Sequence, residues 1–492
     1  MQPRYSGFSA LLPAALLLVL VSPPARAQPS GLAPSAGFAA VTDNGGGVPP
    51  DPQGAAGPDH LLTMTNTRFA AQLKNGTVVQ IWTPAQFWAS VSQKDLLFDP
   101  RVMYDSLSNR WYAVMATAGA TAEPAILLAV SNGADPTQGW TFQSIPADPH
   151  GGAAAEFPLL GASSRWICVT SNLISASGES GGIAVWAIEK EALLSGTLSV
   201  SRFVLPDALS PVAPVVTFDS DQPDELLVEQ WSENNAGKGQ LELLRVTDVS
   251  GVVSLRTVGT VSAPATWIAH PNPFDMLPQS GTPRRITASQ DDVASACLRH
   301  GVIWAAQTAT IPEKTGPSQA TVPIHSVVQW WRMTAEGALL GFGRIEDASG
   351  QTWLAYPSVA VNARDQVVIG YSIFSPEIFA SAGYSLRRSG GCDADLSRIH
   401  TLQPGLGVYV KPDSTGLNRW GDLSETVVDP GDDLSIWTIQ EYAAAPFEGA
   451  SRWGTWWGGF APAASGHEGA CVSPVETGPP APVRTRIETG PR

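Results

Sequence analysis

Hydrophobic and polar positions alternate over short stretches along most of the chain. The stretch "LFDPRVMYDSLSNRWYAVMATA" from Leu97 has a polar and Pro start, an alternating apolar run that stops at Asp105, a turn, and a second run rich in β-branched and aromatic residues. That is the pattern of two antiparallel strands joined by a tight turn. The same outline returns in "LAYPSVAVNARDQVVIGYS" from Leu354 and in "NRWGDLSETVVDPGDDLSIWTIQEY" from Asn418. Looser copies are "PPDPQGAAGPDHLLTMTN", "AEFPLLGASSRWICVTSN", "APVVTFDSDQPDELLVEQW" and "TASQDDVASACLRHGVIWAAQT". Seven occurrences result, with uneven spacing of about 50 to 80 residues.

Followed outward, one copy continues through "AILLAVS", the turn "NGADPTQG" and "WTFQSI", making four short up-and-down strands. A four-stranded antiparallel sheet repeated around an axis is a propeller blade. The expected fold is therefore all-β, a β-propeller of four-stranded antiparallel blades, with seven blades and six as the fallback. The only helix-period segment is short, near "AIEKEALLSG". After "RWGTWWGGF" the last copy lacks a fourth strand, and "AGFAAVT" from Ala36 is a spare one. Closure by this N-terminal strand would remove two open sheet edges, which otherwise invite aggregation.

Composition adds compartment and partners. The first residues are basic, an apolar run extends from about Ala10 to Val21, and Ala25-Arg26-Ala27 is a small-x-small site. These are the parts of a secretory signal peptide cut after Ala27. They divide the chain into a leader (1–27), a propeller (28–461) and a Pro/Gly/Thr-rich tail (462–492), and they place the protein as secreted or periplasmic. No later run approaches the ~18 apolar residues of a membrane span. Without the leader, 27 basic residues face 44 acidic ones, a charge of −17. Nucleic acid and anionic membranes are thereby disfavoured as partners. The chain reads as a monomer. Four cysteines, Cys168, Cys297, Cys392 and Cys471, are an even count suited to an oxidising compartment. Their spacing fits no zinc site, and both a disulfide of some pairing and buried free thiols remain open.

In a propeller the first strands of the blades begin, and the second strands end, on one face. The residues this places around the channel mouth are Asp51, Asn66, Asp99, Glu156, Asn172, Glu229, Asp291, Asp292, Gln307, Asp422 and Glu441, an acid-rich funnel. A cleft lined by one sign of charge favours cations or polyhydroxylated ligands, and calcium is the ion such oxygens suit, although no cofactor is required. The plainer reading is that these side chains cap turns and strand amides. Trp88 and Trp420, in loops, are the candidate stacking platforms for a sugar ring. The triple-acid run "DPGDD" falls on the opposite face, as a solvated turn.

"PPDPQGAAGPDH", "DPRVMYDSLSNRW", "SNGADPTQGWTF" and "RWGDLSETVVDPGDDLSIW...EY" resemble secreted bacterial proteins related to the sialidase-type (BNR or Asp-box) propellers, over about Val48 to Phe460. Ser131, Asp135, Gly139 and Trp140 supply the box residues at stretched spacing, which implies a turn-capping Asp. A sialidase would also need an arginine triad, and Arg68, Arg101 and Arg419 lie near the first strands of neighbouring blades, although the Arg-Ile-Pro stretch expected of the first of them is absent. It would need a Tyr nucleophile paired with a Glu as well, but Glu441 and Tyr442 are consecutive on a strand and face opposite sides. Two functions follow as expectations: a non-enzymatic propeller recognising a glycan or extracellular protein at the mouth, with calcium assisting, or a glycosidase or polysaccharide lyase working through carboxylates on the same face.

Overall fold

The computed structural model describes residues 33–92, 96–118, 123–206, 210–270, 272–288, 292–315, 321–322 and 324–462. The expected leader, nearly all of the expected tail, Cys471 and Asp291 lie outside them. The described chain is an all-β propeller of small antiparallel sheets. In most of the four-strand sets the first strand lies innermost and successive strands pair outward, as in Leu96–Asp105, Arg110–Ala118, Ala125–Ser131 and Trp140–Pro146; in the set that ends the chain, Ala36–Thr42 takes the outermost place.

Hydrogen bonding gives five separate four-stranded sheets, which corrects the expected count of seven, or six, separate blades. Two further four-strand sets, beginning at Ala153–Ala162 and Val293–Arg299, are fused into one nine-stranded sheet. The join is the two-residue strand Val216–Thr217, which pairs in parallel with Ala162 on one side and with Cys297 and Leu298 on the other. Innermost strands converge toward an axis, so their far ends come within hydrogen-bonding distance of each other. The innermost strands also pack in chain order, and the last, Glu425–Val428, packs against the first, Gln53–Ala56. Ala36–Thr42 pairs antiparallel with Ala450–Phe460, where Val41 and Thr455 exchange two hydrogen bonds of 2.9 and 2.8 Å.

Large aromatics fill the wedges between sheets, with Trp111, Trp186, Trp267, Trp331, Trp453 and Trp457 all buried. Gly54 shows why some positions carry no side chain: a Cβ there would stand 2.5 Å from the Trp457 ring. The helix-period segment forms only the five-residue helix Lys190–Leu194. Cys168 and Cys297 are buried free thiols, whereas Cys392 is disulfide-bonded.

Candidate functional site

Four innermost strands carry the same backbone device at or near their N-terminal ends. Asp51, Asp99, Phe157 and Tyr356 each have a positive φ, of 47°, 55°, 54° and 59°, and each precedes a proline. Non-glycine residues rarely adopt this conformation, and a following proline ordinarily holds its predecessor in extended backbone. Three of these sites coincide with a slip in strand register, at Phe98/Arg101, Glu156/Leu159 and Ala355/Ser358. Such bulges re-aim a side chain at the end of a strand, and here they gather polar groups at the mouth.

A relay of hydrogen bonds ties these starts together. Asp51 accepts the Asp422 N–H at 2.8 Å through Oδ1 and Asn66 Nδ2 at 2.6 Å through Oδ2. Asn66 Oδ1 in turn accepts the Asp99 N–H at 2.8 Å, and Asp99 Oδ2 accepts the Phe157 N–H at 2.9 Å. Glu441 Oε2 accepts the Gly421 N–H at 2.8 Å. A side chain at position 421 would crowd both Pro52 and that carboxyl oxygen, within 2.7 Å. The funnel residues Asp51, Asn66 and Asp99 therefore cap N–H groups of neighbouring sheets, while Glu441 caps Gly421 at the entry to its own sheet's innermost strand.

Two insertions, residues 264–270 with 272–288 and residues 404–424, lie over the mouth residues. They clasp each other where Gln279 Nε2 donates to the Tyr409 carbonyl at 2.6 Å and the Tyr409 N–H returns to Gln279 Oε1 at 2.8 Å. Asn418 Nδ2 bridges to the Arg285 carbonyl at 3.1 Å. This cover corrects one expectation: Trp420 is no exposed platform but is fully buried, edge-on to Phe374 and Tyr409, with its Nε1 donating to Ser372 Oγ. Trp88 is fully buried too, against Phe87 and Phe142. A loop indole has its ring area to bury, and neighbouring aromatics offered a drier place than solvent.

Burial beneath this cover shifts the carboxyls. Asp51, Asp292 and Asp422 are each pushed up to about 7, first by burial and then by a neighbouring carboxylate: Asp99 for Asp51, Asp422 for Asp292, Asp51 for Asp422. Asp99 rises to about 6, again through burial first. Burial drives Glu441 well above the usual carboxylate range. The main cations among them are Arg419, which bonds Asp422 Oδ2 at 2.5 Å, and Arg101, which burial lowers to about 10. A quarter of the Asp422 side chain and 28% of Arg419 remain exposed, so this pair meets solvent.

Other expected residues are more scattered. Arg68 is half-buried in the turn after His60–Met64, Glu156 is exposed, and Asn172 sits directly across the strand pair from Glu156. Glu229 is buried within its sheet, in register between Val212 and Glu242. Trp331 Nε1 donates to the buried Gln307 at 2.8 Å. On the opposite face, Asp432 caps its turn, but Asp429 is buried, ion-paired with Lys74 at 2.6 Å and bonded by Trp437 Nε1. Asp135 accepts the Thr137 N–H and hydroxyl in the turn before Trp140, as a turn-capping Asp does. Glu425 was missed by the sequence reading. It lies on an innermost strand, is pushed up to about 7 by burial, and faces Arg101. A lone Glu inside "SETVV" gave no signal, because nothing in the sequence locates the channel axis. Among the described residues no group of three or more His, Cys, Asp or Glu converges as a metal site.

No protein-family profile matches this chain, and no curated protein matches it. Solved structures do. A protein of unknown function from Dyadobacter fermentans is 8% identical, with a TM-score of 0.39, covering 73% of this chain and 93% of its own. Trypanosoma rangeli sialidase is 7% identical at a TM-score of 0.34, covering 78% of this chain, which spans 57% of the sialidase's length. A Bacillus subtilis arabinanase is 13% identical at a TM-score of 0.30, covering 58% of this chain and 96% of its own. Likenesses this loose carry no argument about activity, and the sheets described above carry the fold.

Proposed function

We propose that this chain is a secreted or periplasmic binding propeller that recognises a hydroxyl-rich glycan at its mouth without transforming it. In this reading the nine-stranded sheet counts as two blades, making a ring of seven closed by Ala36–Thr42. The observation that carries the reading is the engagement of the mouth carboxyls. Asp51 uses both oxygens, one for Asp422 of the last sheet and one for Asn66 of its own, Asp99 accepts from Phe157 of the next sheet, and Glu441 accepts from Gly421 at the entry to its own sheet's innermost strand. A general acid or base needs a carboxyl free to reach substrate, whereas a fixed acceptor array with charges of both signs at its rim suits sugar hydroxyls. The rim consists of Arg68, Asp99, Glu156, Arg419 and Asp422, none of them fully buried.

One observation favours a second reading, a glycoside hydrolase. Asp422 holds its proton to about 7, is partly open to solvent, and stands among ionisable neighbours, as a general acid does. The deciding experiment incubates the purified mature protein, with and without calcium, on an array of sialylated glycans and of bacterial and plant polysaccharides, following retention and released products together. Retention without product, lost in Arg419→Ala and Asp422→Asn, is the expected result. Product that disappears in Asp422→Asn overturns the binding reading, and neither signal moves the assignment to an extracellular protein partner.

A further inference from the structure

Below the mouth, one cavity of about 60 Å³ runs between the innermost strands. Residues from Gln53–Ala56, Leu96–Asp105, Ala153–Ala162, Val212–Pro214, Val293–Arg299, Trp353–Val361 and Glu425–Val428 all line it. Most of the lining is apolar, but Arg101, Ser295 and Glu425 also border it. We propose that this cavity binds a small monovalent anion of the halide class, with Arg101 as its principal ligand.

Arg101 is only 4% exposed, and its polar atoms are unevenly used. Nε donates to the Pro158 carbonyl at 2.7 Å, and the guanidinium lies 5.3 Å from the centre of the Phe157 ring. Nη2, equally buried, has no hydrogen-bond partner among the described residues. Leaving a charged donor buried and unbonded is costly, so an acceptor in the adjoining cavity would satisfy it. Ser295 Oγ accepts the Val359 N–H at 3.1 Å, which leaves its own hydrogen to be donated. Water would satisfy the hydrogen bond but not the charge. A cavity of this size has room for a few waters or one small ion. A divalent anion would meet stronger repulsion from the acids above, whereas a halide carries a single charge.

The charge on Arg101 is balanced by its surroundings in a pH-dependent way. The groups acting on it are Glu425 across the channel, Asp99 on its own strand, Asp51 from the first sheet and Asp422 from the cover. Farther out stand Glu156, Asp292 and Arg419, which act on those acids in turn. When Asp51, Asp99, Asp422 and Glu425 take up protons, the guanidinium loses its counter-charges. The anion then supplies the missing charge, and protonated Glu425 adds a donor. Anion binding is thus linked to proton uptake, tighter in acid than above neutrality.

The test follows thermal unfolding of the mature protein in sodium bromide against sodium gluconate at equal ionic strength, at pH 5.5 and pH 8. In parallel, crystals grown in bromide are measured for anomalous scattering. We expect bromide to raise the unfolding temperature, with apparent affinity at least about tenfold tighter at pH 5.5. An anomalous peak should lie within hydrogen-bonding distance of Arg101 Nη2. Arg101→Gln should lose the bromide effect, and Glu425→Gln should raise affinity at pH 8 toward its value at pH 5.5. No peak in the cavity, or an equal bromide effect in Arg101→Gln, overturns the proposal. Should Arg101→Gln fail to fold, presence or absence of the peak in the unaltered protein decides.

Discussion

At the scale of single residues, the mouth turns on which atoms of a carboxyl are already occupied. Asp51 offers two acceptors to two donors, so Asp51→Asn must turn its new amide toward either the Asp422 N–H or Asn66 Nδ2. We expect a loss of about 1–3 kcal/mol, read from urea unfolding, with Asp51→Ala at least as damaging. The protonation of these groups predicts a pH dependence. Asp51, Asp292, Asp422 and Glu425 have folded-state values near 7, raised from ordinary carboxylate values. A raised value means the folded state binds more protons than the unfolded chain between about pH 4 and 7. Stability from these groups is therefore complete in acid, declines as pH rises through that window and is lost above it. The unfolding temperature should be higher at pH 5.5 than at pH 8 at fixed ionic strength, and Asp422→Asn should flatten the difference. A maximum near pH 8 would contradict the burial of these acids.

At the scale of elements, the positive-φ residue before proline is the recurring part, and the sequence showed it only as a polar or proline start. "DP" at Asp51 and Asp99 is legible as a polar or proline start to a strand, and the funnel follows from where first strands begin and second strands end. "FP" and "YP" at Phe157 and Tyr356 carry the same backbone without an acid, so half of the device was invisible to a search for carboxylates. Packing between sheets is as tight as the conformation of their starts. Gly54→Ala would drive a methyl into the Trp457 ring. We expect it to cost about 1–3 kcal/mol, as overpacking does, measurable as a lower urea midpoint with an unchanged slope.

At the scale of the whole molecule, Ala36–Thr42 joins strands more than 400 positions away in sequence. Removing residues 33–43 would strip the edge of Ala450–Phe460 and expose its backbone groups. We expect the shortened protein to unfold at lower temperature and to form concentration-dependent aggregates in light scattering; an unaltered unfolding temperature would show that the strand is dispensable. Alternation of apolar and polar positions, turn residues and the spare strand determined the all-β class and the up-and-down sheets, since a strand's period of two is written residue by residue. Only the tertiary structure decided that Val216–Thr217 fuses two sheets, that residues 272–288 and 404–424 clasp each other over the mouth, and that Trp420 lies inside while Arg101 and Glu425 share a cavity. Those features depend on how strands converge on an axis and on which distant segments meet there, and local pattern contains no record of either.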